Sequence, residues 1–195
     1  MSPHLFIKRI CATLVLLVAC DALPAEQTIE IQFAKDSTSG QETLNAQTVF
    51  DYHGTALRRV LLSFHDYADL HPWITGATLT SPAAGRKSEF LIRFKFPWPV
   101  GQRWSRIQVS TDYRNSIIWH QVEGTMDANA GQLKFIANGE SMRVDYSAIV
   151  DIGLPNALTR GFKKRFVREF IDAAHTRATQ TDTTGFRIAD SSSNR

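Results

Sequence analysis

Residues 155–179 read PNALTRGFKKRFVREFIDAAHTRAT, and their pattern is the strongest indication of the fold in this sequence. A large apolar side chain recurs at every fourth position, as Leu158, Phe162, Phe166 and Phe170. At 100° per residue these side chains share one half of a helix with several smaller apolar neighbours. That arc is wider than the stripe of about 100° that a helix lying flat on a core presents. We therefore predict a C-terminal helix, about 37 Å long, that a curved sheet embraces.

Most of the remaining chain shows the two-residue alternation of β-strands. The predicted strands are 26–34, 44–52, 76–81, 88–96, 101–111, 115–124, 131–138 and 141–152. Two short segments with helical spacing, 56–64 and 65–70, separate the second strand from the third. We interpret residues 127–130 as a break between strands. Sequential strands with short turns favour an antiparallel meander, and segregated helices indicate the α+β class.

The alternation is strongest in the predicted strand 88–96. Large apolar side chains share one face, and mostly charged side chains share the other, as in a half-buried antiparallel strand. We expect the apolar face to meet the long helix. Its members are Phe90, Ile92, Phe94 and Phe96, and the opposite face carries Glu89, Leu91, Arg93 and Lys95.

The first 25 residues are typical of a bacterial signal peptide. Lys8 and Arg9 precede an apolar run at 10–19, which is too short to span a membrane. The run ends in LVAC at residues 17–20, which resembles a lipobox, so we predict a periplasmic lipoprotein that is lipidated at Cys20. Cleavage near Ala25, giving a soluble secreted protein, stays an alternative. Residues 26–179 then form one domain, and we expect the polar tail 180–195 to be disordered.

Cysteine usage and charge exclude several function classes. Both cysteines, Cys11 and Cys20, lie in the signal segment, so the domain has no disulfide and no thiol nucleophile. Without the basic residues of the signal, twenty basic side chains face nineteen acidic ones, which gives no nucleic-acid footprint. Five basic residues cluster on the long helix, where they indicate either a solvated face or contact with an anionic membrane. They are Arg160, Lys163, Lys164, Arg165 and Arg168.

No sequence motif for catalysis is present, and the candidate polar groups are few. The cluster of His65, Asp69 and His71 has too few ligands for a typical zinc site, so we interpret it as structural, with capping and surface contacts. Acid–base catalysis by Glu123, Asp145 or His120 stays open, because catalytic partners are often distant in sequence.

Two orientation questions also stay open. Trp104 and Arg106 alternate with Ile107 and Val109 along one strand, and either set could face the interior. Lys163 lies at the edge of the apolar arc, where it either snorkels to water or meets an acidic ligand headgroup.

The order of elements resembles that of the START and polyketide-cyclase superfamily, which has the helix-grip fold. Three stretches carry the resemblance: LSFHDYADLHPWI at 62–74, FPWPV at 96–100 and MRVDYSAIVDIGLP at 142–155. It covers residues 26–179. START domains often carry an arginine–aspartate pair after the tryptophan turn, whereas this chain has Gln102-Arg103-Trp104 there.

The resemblance implies a ligand cavity between sheet and helix that holds a lipid, sterol, quinone or similar molecule. A minority of the superfamily catalyse cyclisation or aromatisation, so a cyclase or aromatase is the alternative. We expect no metal, no cofactor and no nucleic-acid partner. We expect a monomer, and contact with a membrane surface stays open. The expected ligand-binding residues are Phe90, Ile92, Phe94, Phe96, Trp104, Trp119, Tyr146, Phe162, Phe166 and Phe170.

Overall fold

The computed structural model describes residues 28–35, 40–51, 54–84, 87–112 and 115–191, with the backbone alone at 82–84 and 182–191. The predicted signal peptide, its lipobox and Cys20 lie outside the described residues. The strands are β1 (Glu30–Lys35), β2 (Glu42–Phe50), β3 (Ile74–Ala84), β4 (Lys87–Lys95), β5 (Gln102–Thr111), β6 (Ser116–Gly124), β7 (Ala128–Asn138) and β8 (Ser141–Asp151). The helices are α1 (Thr55–Leu62), a 3-10 turn (Phe64–Asp66), α2 (Tyr67–Leu70) and α3 (Asn156–Ser191).

The eight strands form one antiparallel sheet in the order β1-β2-β8-β7-β6-β5-β4-β3. Strands β3 to β8 are a meander, so each pairs with the next one along the chain. The short helices carry the chain from β2 to the far edge of the sheet, and the meander returns to β2. This arrangement confirms the predicted α+β class and the antiparallel sheet.

Helix α3 packs along one face of the sheet, as the wide apolar arc predicted. Residues from strands on both halves of the sheet join Val167, Phe170 and Ile171 in one core, so the sheet curves around the helix. Leu158 departs from the prediction, because its side chain is 62% exposed and Thr159 is buried instead. The first turn of α3 therefore projects beyond the core, and the apolar arc becomes effective only from Phe162 onwards.

The helix extends twelve residues beyond the predicted end at Thr179, as far as Ser191. Most of the segment expected to be disordered is therefore helical. Residues 180–191 contain no proline, and adding a residue to an existing helix costs far less than starting a new one. Residues 192–195 lie outside the described part of the chain. None of the described helices is long and apolar enough to cross a membrane.

The strand directions give the sheet two distinct ends. We call the end where α3 begins the proximal end; it holds Glu42, Lys95, Ser105, Asn129 and Asp151. We call the opposite end, where β2 leads into α1, the distal end. It holds the last residues of β2 and β7 and the first residues of β6 and β8.

Candidate functional site

A cavity of about 130 Å³ lies between α3 and the inner face of the sheet. Its wall is almost entirely apolar, and both the sheet and all three helices contribute to it. Eight of the ten residues expected to contact a ligand line it, namely Ile92, Phe94, Phe96, Trp119, Tyr146, Phe162, Phe166 and Phe170. The alternation of β4 and the four-residue spacing of α3 therefore identified two walls of the same cavity.

Two expected residues lie elsewhere. Phe90 is outside the cavity, because the ring of Phe64 in the 3-10 turn stacks on it with 4.8 Å between centroids. Trp104 lies in a shallow groove on the outer face of the sheet, beside Arg93 and Arg103. In β5 it is the other set that faces inward: Ile107 lines the cavity.

Arg106 lies on the same outer face of the sheet as Trp104 and forms ion pairs there. Arg106 contacts Glu123 at 2.7 Å and Glu89 at 3.5 Å, and both carboxylates lie on neighbouring strands. The hypothesis of an inward arginine at this position is therefore wrong.

The volume of the cavity limits what it holds in this conformation. An engineered apolar cavity of about 150 Å³ binds benzene, whereas pockets for drug-sized ligands measure roughly 300–1,000 Å³. At about 130 Å³ the cavity accommodates a group the size of one small ring. A sterol or a lipid requires α3 or some of the aromatic side chains to move outward.

The proximal end contains a chain of polar side chains that the sequence analysis missed. Trp119 donates its indole N–H to Asn129 Oδ1 at 3.1 Å, and Asn129 Nδ2 donates to Ser105 Oγ at 3.2 Å. Ser105 Oγ donates to Gln121 Oε1 at 2.8 Å, and Gln121 Nε2 donates to the carbonyl of Met126 at 2.7 Å. Trp119, Asn129 and Met126 line the cavity, so these hydrogen bonds lie beside its proximal end.

Asn129 was missed because residues 127–130 were interpreted as a break, whereas β7 already begins at Ala128. The available signal was the continuation of the inward alternation from Leu133 back through Gly131 to Asn129. Gly131 is required there: a Cβ would lie 2.6 Å from the Trp119 ring and 2.5 Å from the carbonyl oxygen of Ser147. The missing side chain lets the indole lie across β7 and reach Asn129.

Two tyrosines contribute hydroxyl groups to the cavity wall. Tyr67 donates to the carbonyl of Leu61 at 2.6 Å, so its hydroxyl is satisfied by the protein. Tyr146 packs its ring against Trp119, with 5.7 Å between centroids. Burial raises the pKa of both hydroxyls far above the usual tyrosine value, which keeps them protonated and neutral.

Lys163 brings a charge to the proximal end of the cavity. Its side chain is 9% exposed and lines the cavity, and its ammonium donates to Asn156 Oδ1 at 2.9 Å. Glu42 Oε1 is 4.0 Å away, beyond hydrogen-bond distance. Burial lowers the pKa of Lys163, and the charges of Glu42 and Asp151 oppose that shift. Lys163 therefore does not simply snorkel to water.

A histidine–carboxylate pair lies next to the cavity without lining it. His71 Nε2 is 3.2 Å from Glu169 Oε2, and His71 Nδ1 accepts the backbone N–H of Trp73 at 3.1 Å. The ring is fully buried beneath Phe166, with 4.4 Å between centroids. Burial lowers the pKa of His71, and the neighbouring Glu169 opposes this only in part. His71 is thus a buried structural residue, rather than one with surface contacts.

The other sequence candidates for acid–base chemistry face away from the cavity. His120 is exposed on β6, Glu123 pairs with Arg106, and Asp145 pairs with Arg143 at 3.0 Å. Within the described ranges, no three side chains of the metal-ligating types are grouped closely enough to hold an ion. Among the described residues, the ionisable side chains that line the cavity are Tyr67, Tyr146 and Lys163.

No family profile and no curated protein matches this sequence. Solved structures do match. A STAR-related lipid transfer protein from Xanthomonas axonopodis (fragment 25–204) is 12% identical, with a TM-score of 0.65 over 77% of this chain and 93% of that one. Human STARD10 is 12% identical, with a TM-score of 0.63 over 82% of this chain and 73% of that one.

The Zhui aromatase/cyclase from Streptomyces sp. R1128 also matches, at 11% identity and a TM-score of 0.58 over 71% of this chain and 93% of its own. Lipid-transfer proteins and a cyclase therefore share this architecture, and identity at this level establishes the fold alone. The long α3 packed against an antiparallel sheet, with an apolar cavity between them, is the helix-grip architecture that these solved structures share.

Proposed function

We propose that this protein binds a hydrophobic small molecule between α3 and the sheet and carries it unchanged. The observation that supports this most directly is the apolar cavity itself, which a close-packed core would not contain. An apolar ligand gains about 25 cal/mol per Å² of surface removed from water. Burying roughly 330 Å² would then give about 8 kcal/mol, a dissociation constant near 1 µM before ordering costs.

A binding function fits the cavity wall better than a catalytic one. The two tyrosine hydroxyls are held neutral by burial, and the His71–Glu169 pair is covered by Phe166. An acid–base catalyst must reach its substrate within hydrogen-bond distance. The likeness to Zhui favours a cyclase as the second candidate, with Lys163 and Tyr146 as the polar groups that face the substrate.

The test is titration with fluorescent fatty-acid, sterol and quinone probes, followed by extraction and mass spectrometry of the probe. Val144→Phe places a large ring in the cavity wall, and Val49→Phe makes the same change on the neighbouring strand, where the side chain is half exposed. We expect Val144→Phe to weaken binding at least tenfold and Val49→Phe to leave it unchanged, with circular dichroism verifying both folds.

Three outcomes decide between the candidates. Equal binding by both valine variants means that the probe lies outside the cavity and contradicts the carrier proposal. Absence of binding for every probe class indicates an interior filled only by its own side chains. Recovery of a chemically altered probe supports the cyclase.

We further propose that the protein is exported and anchored by lipid on Cys20, and that it exchanges its ligand at a membrane. The proximal end supports the last step, because Trp98 is 89% exposed in the turn between β4 and β5 and Leu158 is exposed at the start of α3. Exposed aromatic residues partition favourably into membrane interfaces. Phe96, two residues before Trp98, and Phe162, about one helical turn after Leu158, both line the cavity.

The anchoring is tested by Cys20→Ser in the native host. Two or more acyl chains give stable attachment, whereas one is marginal. We expect the wild-type protein in the membrane fraction and the Cys20→Ser protein in the soluble fraction. A wild-type protein that is already soluble and begins near Glu26 contradicts lipidation and favours the alternative cleavage site.

A further inference from the structure

The cavity has unlike ends. At the distal end its wall is built from apolar side chains, among them Phe50, Leu57, Leu61 and Val144, and from Tyr67, whose hydroxyl is bonded to the Leu61 carbonyl. At the proximal end the lining residues include Lys163 and Asn129. A molecule that fits such a cavity is itself amphipathic, because a polar group at the distal end would lose its hydrogen bonds to water and gain none.

We propose that the ligand is an apolar molecule ending in a carboxylate, which contacts Lys163 at the proximal end while the tail points toward α1. This inference rests on the proposed binding function and adds to it the headgroup and the orientation. It depends on whether Lys163 has hydrogen-bonding capacity to spare and on whether its charge is already neutralised.

Lys163, which lines the cavity, has unused donors. An ammonium group carries three N–H donors, and the structure assigns one of them to Asn156 Oδ1 at 2.9 Å. The side chain is more than nine-tenths buried, so bulk water does not readily satisfy the other two. Asn129 also keeps one amide N–H beyond the one that Ser105 accepts, so the free groups at this end are mainly donors.

The nearby carboxylate of Glu42 is committed to another cation. Arg160 contacts Glu42 Oε2 through Nη2 at 2.5 Å and through Nε at 2.7 Å. Glu42 Oε1 is buried without a hydrogen bond and lies 4.0 Å from Lys163 Nζ. Arg160 thus balances the charge of Glu42 at contact distance, whereas Lys163 is only partly compensated by Glu42 and by Asp151 beyond it.

A carboxylate suits this arrangement better than the other common headgroups. A cationic amine would be repelled by Lys163 and Arg160. A hydroxyl or an ester accepts a hydrogen bond, but a bond between two ions is roughly twice as strong as one between neutral groups. The gain is greatest in an apolar surrounding, where an unpaired charge is most costly.

The experiment compares dodecanoic acid, methyl dodecanoate and dodecanol on three proteins by calorimetric titration. Lys163→Met keeps the length of the side chain and removes its charge. Lys164→Met is the matched control, because Lys164 is exposed and lies over the Phe33 ring, outside the cavity. We expect Lys163→Met to weaken binding of the acid at least tenfold and to leave the ester unchanged, while Lys164→Met changes neither.

A measurement on the wild-type protein keeps the proposal testable if Lys163→Met does not fold. Dodecanoic acid labelled with carbon-13 at the carboxyl reports its ionisation by NMR. Beside an ammonium group the bound carboxyl should stay ionised to a lower pH than the free acid. Protonation at a higher pH than the free acid means that the headgroup lies at the apolar end, which overturns the orientation.

The outcomes separate this inference from the proposed function. Equal affinity of the wild-type protein for acid and ester, or an acid affinity unchanged in Lys163→Met, overturns the headgroup assignment and leaves a carrier of neutral molecules. No binding of acid, ester, alcohol or any larger apolar probe overturns the binding function itself.

Discussion

His71 and Lys163 are both buried ionisable groups at the boundary between α3 and the rest of the protein, yet their surroundings differ. The backbone N–H of Trp73 donates to His71 Nδ1 at 3.1 Å, Glu169 Oε2 lies 3.2 Å from Nε2 without forming a hydrogen bond, and aromatic rings cover the imidazole. Lys163 forms one hydrogen bond and faces a cavity. Burial lowers the pKa of both, so a shifted pKa does not distinguish a structural group from a binding group. A place in the cavity wall, which Lys163 has and His71 lacks, does distinguish them.

The contacts of His71 continue through Glu169 to Arg165 and Trp73. Glu169, which contacts His71, also accepts a hydrogen bond from Arg165 Nε at 2.6 Å, and the Arg165 guanidinium lies 5.6 Å from the centre of the Trp73 ring. These contacts attach the segment after α2 to the middle of α3. We therefore assign this network to the stability of the fold and Lys163 to ligand contact.

The largest effect is expected from a charge placed where neither network reaches. Phe94→Asp buries a carboxylate in the cavity wall among Phe96 and Phe166. We expect the free energy of unfolding to fall by about 3–5 kcal/mol, measured by urea denaturation. Lys95→Asp, on the exposed outer face of the same strand, should change it by less than about 0.5 kcal/mol. Similar losses in both variants would show that the interior is not apolar enough to make an unpaired charge costly.

The comparison itself is tested by removing each group. His71→Ala leaves the Trp73 N–H without its acceptor and a gap beside Phe166, so we expect a loss of about 2–4 kcal/mol in the free energy of unfolding. Lys163→Met removes a desolvated charge while Glu42 keeps Arg160, so we expect a change within about 1 kcal/mol. Urea denaturation without ligand checks both. The reverse ranking contradicts the assignment of structure to His71 and ligand contact to Lys163.

The smallest effect is a pH dependence of stability. The folded-state pKa of His71 lies below its ordinary value of 6.5, so between these two values the unfolded chain binds a proton that the folded chain does not. As far as His71 is concerned, the free energy of unfolding therefore has its full value above about pH 6.5 and falls as the pH drops through this window. His71→Asn should flatten the slope of stability against pH. A smaller slope should remain, because burial also lowers the pKa of His175. Equal slopes in both proteins would indicate that the pKa of His71 is the same in the folded and unfolded states.

Most of the expected ligand-binding residues that line the cavity belong to elements with an unambiguous period. Two apolar residues of the alternating face in β4, Ile92 and Phe94, line the cavity together with Phe96 just after the strand, and in α3 the phenylalanines at four-residue spacing do so. Phe90 has the same pattern but lies under Phe64, which is 26 positions away in sequence and comes close only through the fold. In β5 both faces carry large or charged groups, and the pairing of Arg106 with Glu89 and Glu123 decides which face is outside.

The class of the fold, the order of its elements and the two apolar surfaces that form the cavity wall could be predicted from the sequence alone. This was possible because side-chain periodicity is a local property of a helix or a strand. Three contacts became visible in the tertiary structure alone. Trp119 donates to Asn129 across Gly131, Arg160 pairs with Glu42 while Lys163 lines the cavity, and Phe166 packs on His71. These are contacts between residues distant along the chain, and their hydrogen-bond partners depend on strand register and helix placement, which no local pattern encodes.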